Sequence, residues 1–156
     1  MKTSSSTQRF PAGSGRVAVL APALRSSRPS GAPLFLARLS AGFPSPADDY
    51  VETALDLNAY LVRNPAATFM VKVSGDSMIG AGIADGDLLV VDRSEEAVHG
   101  RIVVAVLDGE LAVKRLHIRH GVCLLVPENP KYKPLRIGSG QELQIWGVVT
   151  GVVKRV

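Results

Sequence analysis

Cysteine, long apolar runs and, over a long stretch, acidic residues are what this chain of 156 residues lacks. A single cysteine, Cys123, excludes an internal disulfide framework. Its place in Val-Cys-Leu-Leu-Val reads as a small buried thiol, compatible with a reducing, cytoplasmic setting. No apolar run approaches the ~20 residues needed to cross a bilayer, which argues against a membrane-spanning protein. Residues 17–24 have about the length of a signal-peptide core, but Pro22 breaks the run and Arg25 and Arg28 follow it. An unstructured arm is the better reading than a targeting segment.

Acid is absent until Asp48, while residues 1–47 carry six basic side chains, Lys2, Arg9, Arg16, Arg25, Arg28 and Arg38. The formal charge of +4 is therefore a property of the arm, and the remainder, with twelve basic and fourteen acidic residues, stands at −2. Scattered positive charge without interleaved aromatics gives weak, salt-sensitive contact with nucleic acid, so direct DNA binding by the arm stays open. At 46% hydrophobic, the chain is long enough for one core and too short for two ordinary domains.

What is present divides at about residue 41. Residues 1–33 are rich in Ser, Gly, Pro and Ala without apolar periodicity, and read as disordered. A short apolar stretch, Leu34-Phe35-Leu36 and Leu39, leads to Ala41-Gly42, with Pro44 and Pro46 extending the chain beyond it. Asp56 is placed to cap a helix over 57–62 that Pro65 must end. The rest predicts strands over 68–73, 88–92, 101–107, 110–118, 122–126, 143–150 and 152–155, a mainly β domain. Asp108-Gly109 between two β-branched runs predicts a two-residue hairpin turn. It phases the next strand so that Ala112, Lys114, Leu116 and Ile118 share one face and Val113, Arg115 and His117 the other.

The candidate chemistry lies in Val-Ser-Gly-Asp-Ser77-Met-Ile-Gly and, 37 residues on, in Lys114. A serine hydroxyl needs a base to become a nucleophile. His99, next to a turn glycine, and His117 and His120, among arginines, read as solvated, and no Cys or acidic companion makes them a metal site. A lysine serves as base when desolvation lowers its pKa, and a fall from about 10.4 to about 7 corresponds to roughly 4–5 kcal/mol. Lys114 keeps apolar company on its strand face, although a lone strand lysine is as readily one that snorkels to water. Taken alone, Ser77 is equally readily a turn serine, with Asp76 bonding nearby amides. Gly80, Gly82 and Gly86 miss the spacings of phosphate-binding loops, and no cofactor is indicated. Ala41 is small enough for a confined pocket, and Gly42 lets the chain bend so that the preceding carbonyl faces a nucleophile.

The chain resembles the UmuD family, the self-cleaving subunits of mutagenic DNA polymerase V, within the wider LexA-like Ser-Lys peptidases. The likeness covers residues 32–156 and rests on several separated motifs. These are Ala-Pro-Leu-Phe at 32–35, Gly-Phe-Pro-Ser-Pro-Ala at 42–47, Asp-Tyr-Val-Glu at 49–52, Ser-Gly-Asp-Ser-Met-Ile at 74–79, Asp-Gly-Asp-Leu-Leu at 85–89, Val-Lys-Arg-Leu at 113–116 and Trp-Gly-Val-Val at 146–149. Two places depart from the family: Ala41 stands where its members often have cysteine, and the arm before residue 32 is longer and more basic.

The resemblance implies a β-clip catalytic domain over 42–156 and a flexible arm over 1–41 that is removed by self-cleavage. It implies Ser77 as nucleophile, Lys114 as general base, the backbone amides of Ser77 and Asp76 as oxyanion hole, and Ala41-Gly42 as the bond cut. It further implies an SOS-response role: a homodimer, cleavage stimulated by RecA filaments on single-stranded DNA, and a product that serves a Y-family polymerase in error-prone bypass. A LexA-like repressor fragment and a non-catalytic interaction module of the same fold are the alternatives. The four prolines among residues 1–40 oppose a helix-turn-helix, and a signal peptidase lacks its membrane anchor here.

Overall fold

The computed structural model describes residues 18–20, 32–35 and 52–156. In chain order the elements are β1 (Ala18–Leu20), β2 (Ala32–Phe35), β3 (Glu52–Leu55), α1 (Leu57–Leu61), β4 (Thr68–Lys72), a 3₁₀ turn (Ile79–Ala81), β5 (Leu88–Asp92), β6 (Ile102–Leu107), β7 (Glu110–Arg119), β8 (Val122–Val126), β9 (Leu135–Arg136) and β10 (Leu143–Val153). Eight strands form one antiparallel sheet in the order β1-β4-β5-β10-β6-β7-β8-β9, while β2 and β3 pair separately. The mainly β expectation holds.

Local sequence explains most of these elements. Asp56 caps α1 as expected, its carboxylate accepting from the amides of Asn58 (2.9 Å) and Ala59 (3.2 Å). The helix ends at Leu61, one residue before the expected 62, well ahead of Pro65. Asp108 and Gly109 both take positive φ, 50° and 84°, and turn β6 into β7 with Leu107 opposite Glu110. A second turn of this kind was not foreseen: His120 and Gly121, at φ 49° and 76°, join β7 to β8. His120 is thus a turn residue.

Three expectations need correction. Residues 18–20, within the stretch read as disordered, pair with the edge of β4 in the register Ala18 to Lys72. Residues 32 and 33, also within the stretch read as disordered, form β2 together with Leu34 and Phe35 and pair with β3 as a separate two-stranded ribbon. The two strands expected at 143–150 and 152–155 are one strand, β10, whose register shifts between Ile145 and Gly147 against β6 and between Val149 and Gly151 against β5. Bulges absorb the mismatch that suggested a break.

The core lies in two clusters. One gathers Phe69, Val71, Met78, Ile83, Leu89, Val91, Val104 and Val113, with Trp146 and Val149 against it. Phe69 meets Trp146 edge-on at 6.4 Å between ring centroids. The other gathers Val103, Ala105, Leu116, Leu125 and Val148, with Cys123 and Ile145 against it. Cys123 is half-buried, not fully buried as expected, and desolvation raises its thiol pKa. β10 contributes to both clusters.

Candidate active site

Ser77 leaves β4 on an irregular loop. A strand cannot turn this sharply on its own amide ladder, so the loop's backbone is held by distant groups. The Gly75 amide donates to the Asp85 carboxylate at 2.7 Å, and Val73 exchanges backbone bonds with Gly86 and Asp87. Asp87 is itself buried, accepting from the Ala84 amide (2.8 Å) and pairing with Lys154 at 3.3 Å. On the other side of Ser77, its carbonyl accepts from the Glu128 amide (2.8 Å), and the Glu128 carbonyl accepts from the Gly80 amide (2.7 Å). A Cβ at position 80 would stand 2.5 Å from that carbonyl oxygen, so glycine is required there for close approach. Gly80 is thus a packing position, in keeping with its mismatch to any phosphate-binding spacing.

Lys114 arrives on regular β7, opposite the fully buried Val103. Its Nζ lies 2.9 Å from Ser77 Oγ and donates to the Val113 carbonyl at 2.9 Å. Burial pushes its pKa below the ordinary lysine value, and no carboxylate pairs with it among the described residues. When the amine is protonated, Nζ donates to Oγ. When it is neutral, its lone pair accepts the hydroxyl proton across the same distance, which is the arrangement a general base needs. Arg115, on the opposite strand face, turns away to pair with the Glu128 carboxylate and to donate to the Gly100 carbonyl at 2.7 Å. The strand phase thus separates the two basic neighbours, as expected.

Asp76 carries its own network. Its carboxylate accepts from the Tyr132 hydroxyl (2.6 Å) and from Asn129 Nδ2 (3.2 Å), and its carbonyl accepts from the same Nδ2 (2.9 Å). The Tyr132 bond, the Asp76 amide, Lys131 and Asn129 lower the carboxyl pKa, opposed by partial burial. That carboxylate in turn raises the Tyr132 pKa. The Ser77 amide donates to no described residue, and the Asp76 amide only approaches its own carboxylate. Glu128, Asn129 and Tyr132 were missed by sequence reasoning. The signal available was the proline-bounded run Pro127-Glu-Asn-Pro130-Lys-Tyr, polar and stiff between two strands.

Ala41 and Gly42 fall outside the described residues. His99 and His117, read as solvated, pack with ring centroids 4.9 Å apart, and His99 Nδ1 accepts from the Ile118 amide at 3.1 Å. Among the described residues no cluster of three His, Cys, Asp or Glu has a metal-holding arrangement, and no helix is long and apolar enough to cross a membrane.

Residues 33–150 match the model of the Peptidase S24-like family. The chain is 53% identical over 126 residues to Protein SamA of Salmonella typhimurium, covering 81% of this chain and 87% of that one. It is 49% identical over 137 residues to Protein ImpA of Escherichia coli, covering 84% and 92% of the two chains. It is also 42% identical over 121 residues to LexA repressor 2 of Pseudomonas syringae pv. tomato, covering 77% of this chain and 59% of the repressor. With a matched family model spanning most of its length and relatives at about half identity, the chain belongs to the Peptidase S24-like family and is of the UmuD type within it.

Proposed function

We propose that the chain is a self-cleaving serine endopeptidase that cuts its own Ala41-Gly42 bond. The observation that carries this reading is Ser77 Oγ at 2.9 Å from the Nζ of a desolvated lysine. Neutral Lys114 takes the Ser77 proton as Oγ attacks the Ala41 carbonyl carbon, and the oxyanion forms toward the amides of Ser77 and Asp76. The C–N bond then breaks, the lysine proton goes to the Gly42 amine, and an Ala41 acyl ester remains on Ser77. Water, deprotonated by the same lysine, hydrolyses the ester and restores the dyad. Tethering raises the local concentration of the target bond, so tight intrinsic binding of the segment is unnecessary.

Removal of residues 1–41 takes with it all six basic side chains of the arm, changing the formal charge from +4 to −2. A change of sign and length together suits a switch of partner. Membership of the S24-like family beside SamA and ImpA supports the wider role: a cytoplasmic SOS-response protein, cut when it meets RecA filaments on single-stranded DNA. Its homodimeric product then serves a Y-family polymerase in error-prone synthesis.

The test is incubation of the purified chain at alkaline pH, and separately with RecA, single-stranded DNA and ATP, followed by mass spectrometry. A fragment beginning at Gly42 is expected, lost in Ser77→Ala and in Lys114→Ala. Full-length protein that persists under both conditions would remove the reading.

A further inference from the structure

We propose that Asn129 is a positioning residue that aims the Ser77 amide at the oxyanion, with Tyr132 bracing it through Asp76. This rests on the reading of Ser77 as nucleophile. The Asp76 carbonyl and the Ser77 N–H belong to one peptide plane. In a trans peptide the two point in opposite directions, and no peptide among the described residues is cis. Fixing the carbonyl therefore fixes the amide.

Asn129 fixes it. Its side chain is buried, at 7% exposure, and its orientation is determined by its surroundings: Oδ1 accepts from the Lys131 amide at 3.0 Å, so the amide end must face Asp76. Nδ2 donates to the Asp76 carbonyl at 2.9 Å and to the Asp76 carboxylate at 3.2 Å. The Ile79 amide adds a second bond to the same carbonyl at 3.2 Å. Tyr132, whose amide bonds the Asn129 carbonyl at 3.0 Å, holds the other Asp76 carboxylate oxygen at 2.6 Å. The adjacent Glu128 amide holds the Ser77 carbonyl at 2.8 Å, so the peptide planes on both sides of the Ser77 Cα are clamped by one short segment. That leaves the Ser77 N–H turned away from every described acceptor, as an oxyanion donor must be before substrate arrives.

The experiment is self-cleavage of the full chain followed across pH. Loss of a whole oxyanion donor costs ~10²–10³ in rate, and loss of its aim costs somewhat less, so Asn129→Ala is expected to lower the alkaline plateau ~10- to 100-fold. The pH midpoint, set by Lys114, stays in place. Asn129→Asp keeps the size but replaces the donor with an acceptor, and is expected to lose at least as much. Tyr132→Phe, which removes one hydroxyl from an exposed side chain, is expected to lose about 2- to 5-fold.

A plateau within twofold of the parent in folded Asn129→Ala sinks the proposal, as does a shifted midpoint with an unchanged plateau. Should the Asn129 variants fail to fold, an undiminished plateau in Tyr132→Phe sinks it instead. Full activity in Asn129→Ala beside an inert Ser77→Ala refutes this inference alone. A parent chain that never cleaves refutes the reading beneath it as well.

Discussion

Ser77 and Lys114 meet at 2.9 Å, but they reach that point on backbones of opposite kinds. Lys114 sits on a ten-residue strand, phased by the Asp108-Gly109 turn that precedes the strand and held by ladders to β6 and β8. Ser77 sits on a loop whose position depends on Asp85, Glu128 and Asn129, side chains and amides borrowed from far along the chain. Lys114 is placed by local code. Ser77 is placed by tertiary contacts, so damage to distant segments reaches it first.

The largest effect that sharpens this contrast concerns Lys114 itself. Lys114→Met is expected to reduce cleavage by on the order of 10⁴-fold while leaving the fold as stable or raising its melting temperature by a few degrees at neutral pH, because it relieves a desolvated amine. The sign follows from linkage. With its folded pKa below its unfolded one, Lys114 leaves the unfolded chain holding the extra proton between those two values. Its contribution to stability therefore rises with pH through that window, and the penalty is full below the folded pKa. Cleavage, which in the proposed mechanism needs the neutral amine, is expected to rise about tenfold per pH unit and to level off at the folded pKa, below the ordinary 10.5. A parent profile that keeps climbing past that value shows that the lysine is not shifted.

Next comes the Ser77 side. Gly80→Ala drives a Cβ into the Glu128 carbonyl and is expected to cost ~2–3 kcal/mol in denaturant unfolding. It should also slow cleavage in the molecules that remain folded, since the Glu128 segment clamps Ser77. The smallest effect is expected on the Lys114 side. Gly109→Ala, at φ 84°, should cost ~1–2 kcal/mol but leave the cleavage rate per folded molecule unchanged, because the β7 ladders keep Lys114 in register. Equal rate losses in the two glycine variants would break the comparison.

The same contrast explains what could be read from sequence. β5 and β8 were legible to the residue, and β4, β6 and β7 to within one, because alternation and turn residues are local signals. The Lys114 face followed from Asp108-Gly109. Less legible was β10, where Gly147 and Gly151 weaken the strand pattern and the two bulges that accommodate them are visible only with β5 and β6 alongside. The short strand Ala18–Leu20 exists by pairing with β4, a partner some fifty residues away. Asn129 was illegible as a site residue because its partner, Asp76, is 53 positions earlier and only the fold joins them.

β10, the last strand of the sheet to be synthesised, lies between β5 and β6 and supplies side chains to both core clusters. Until it emerges, the half that carries Ser77 and the half that carries Lys114 have no strand between them. In a growing chain Ser77 and Lys114 are therefore not yet a pair, and the fold sets the earliest moment at which they can meet: after β10 has emerged.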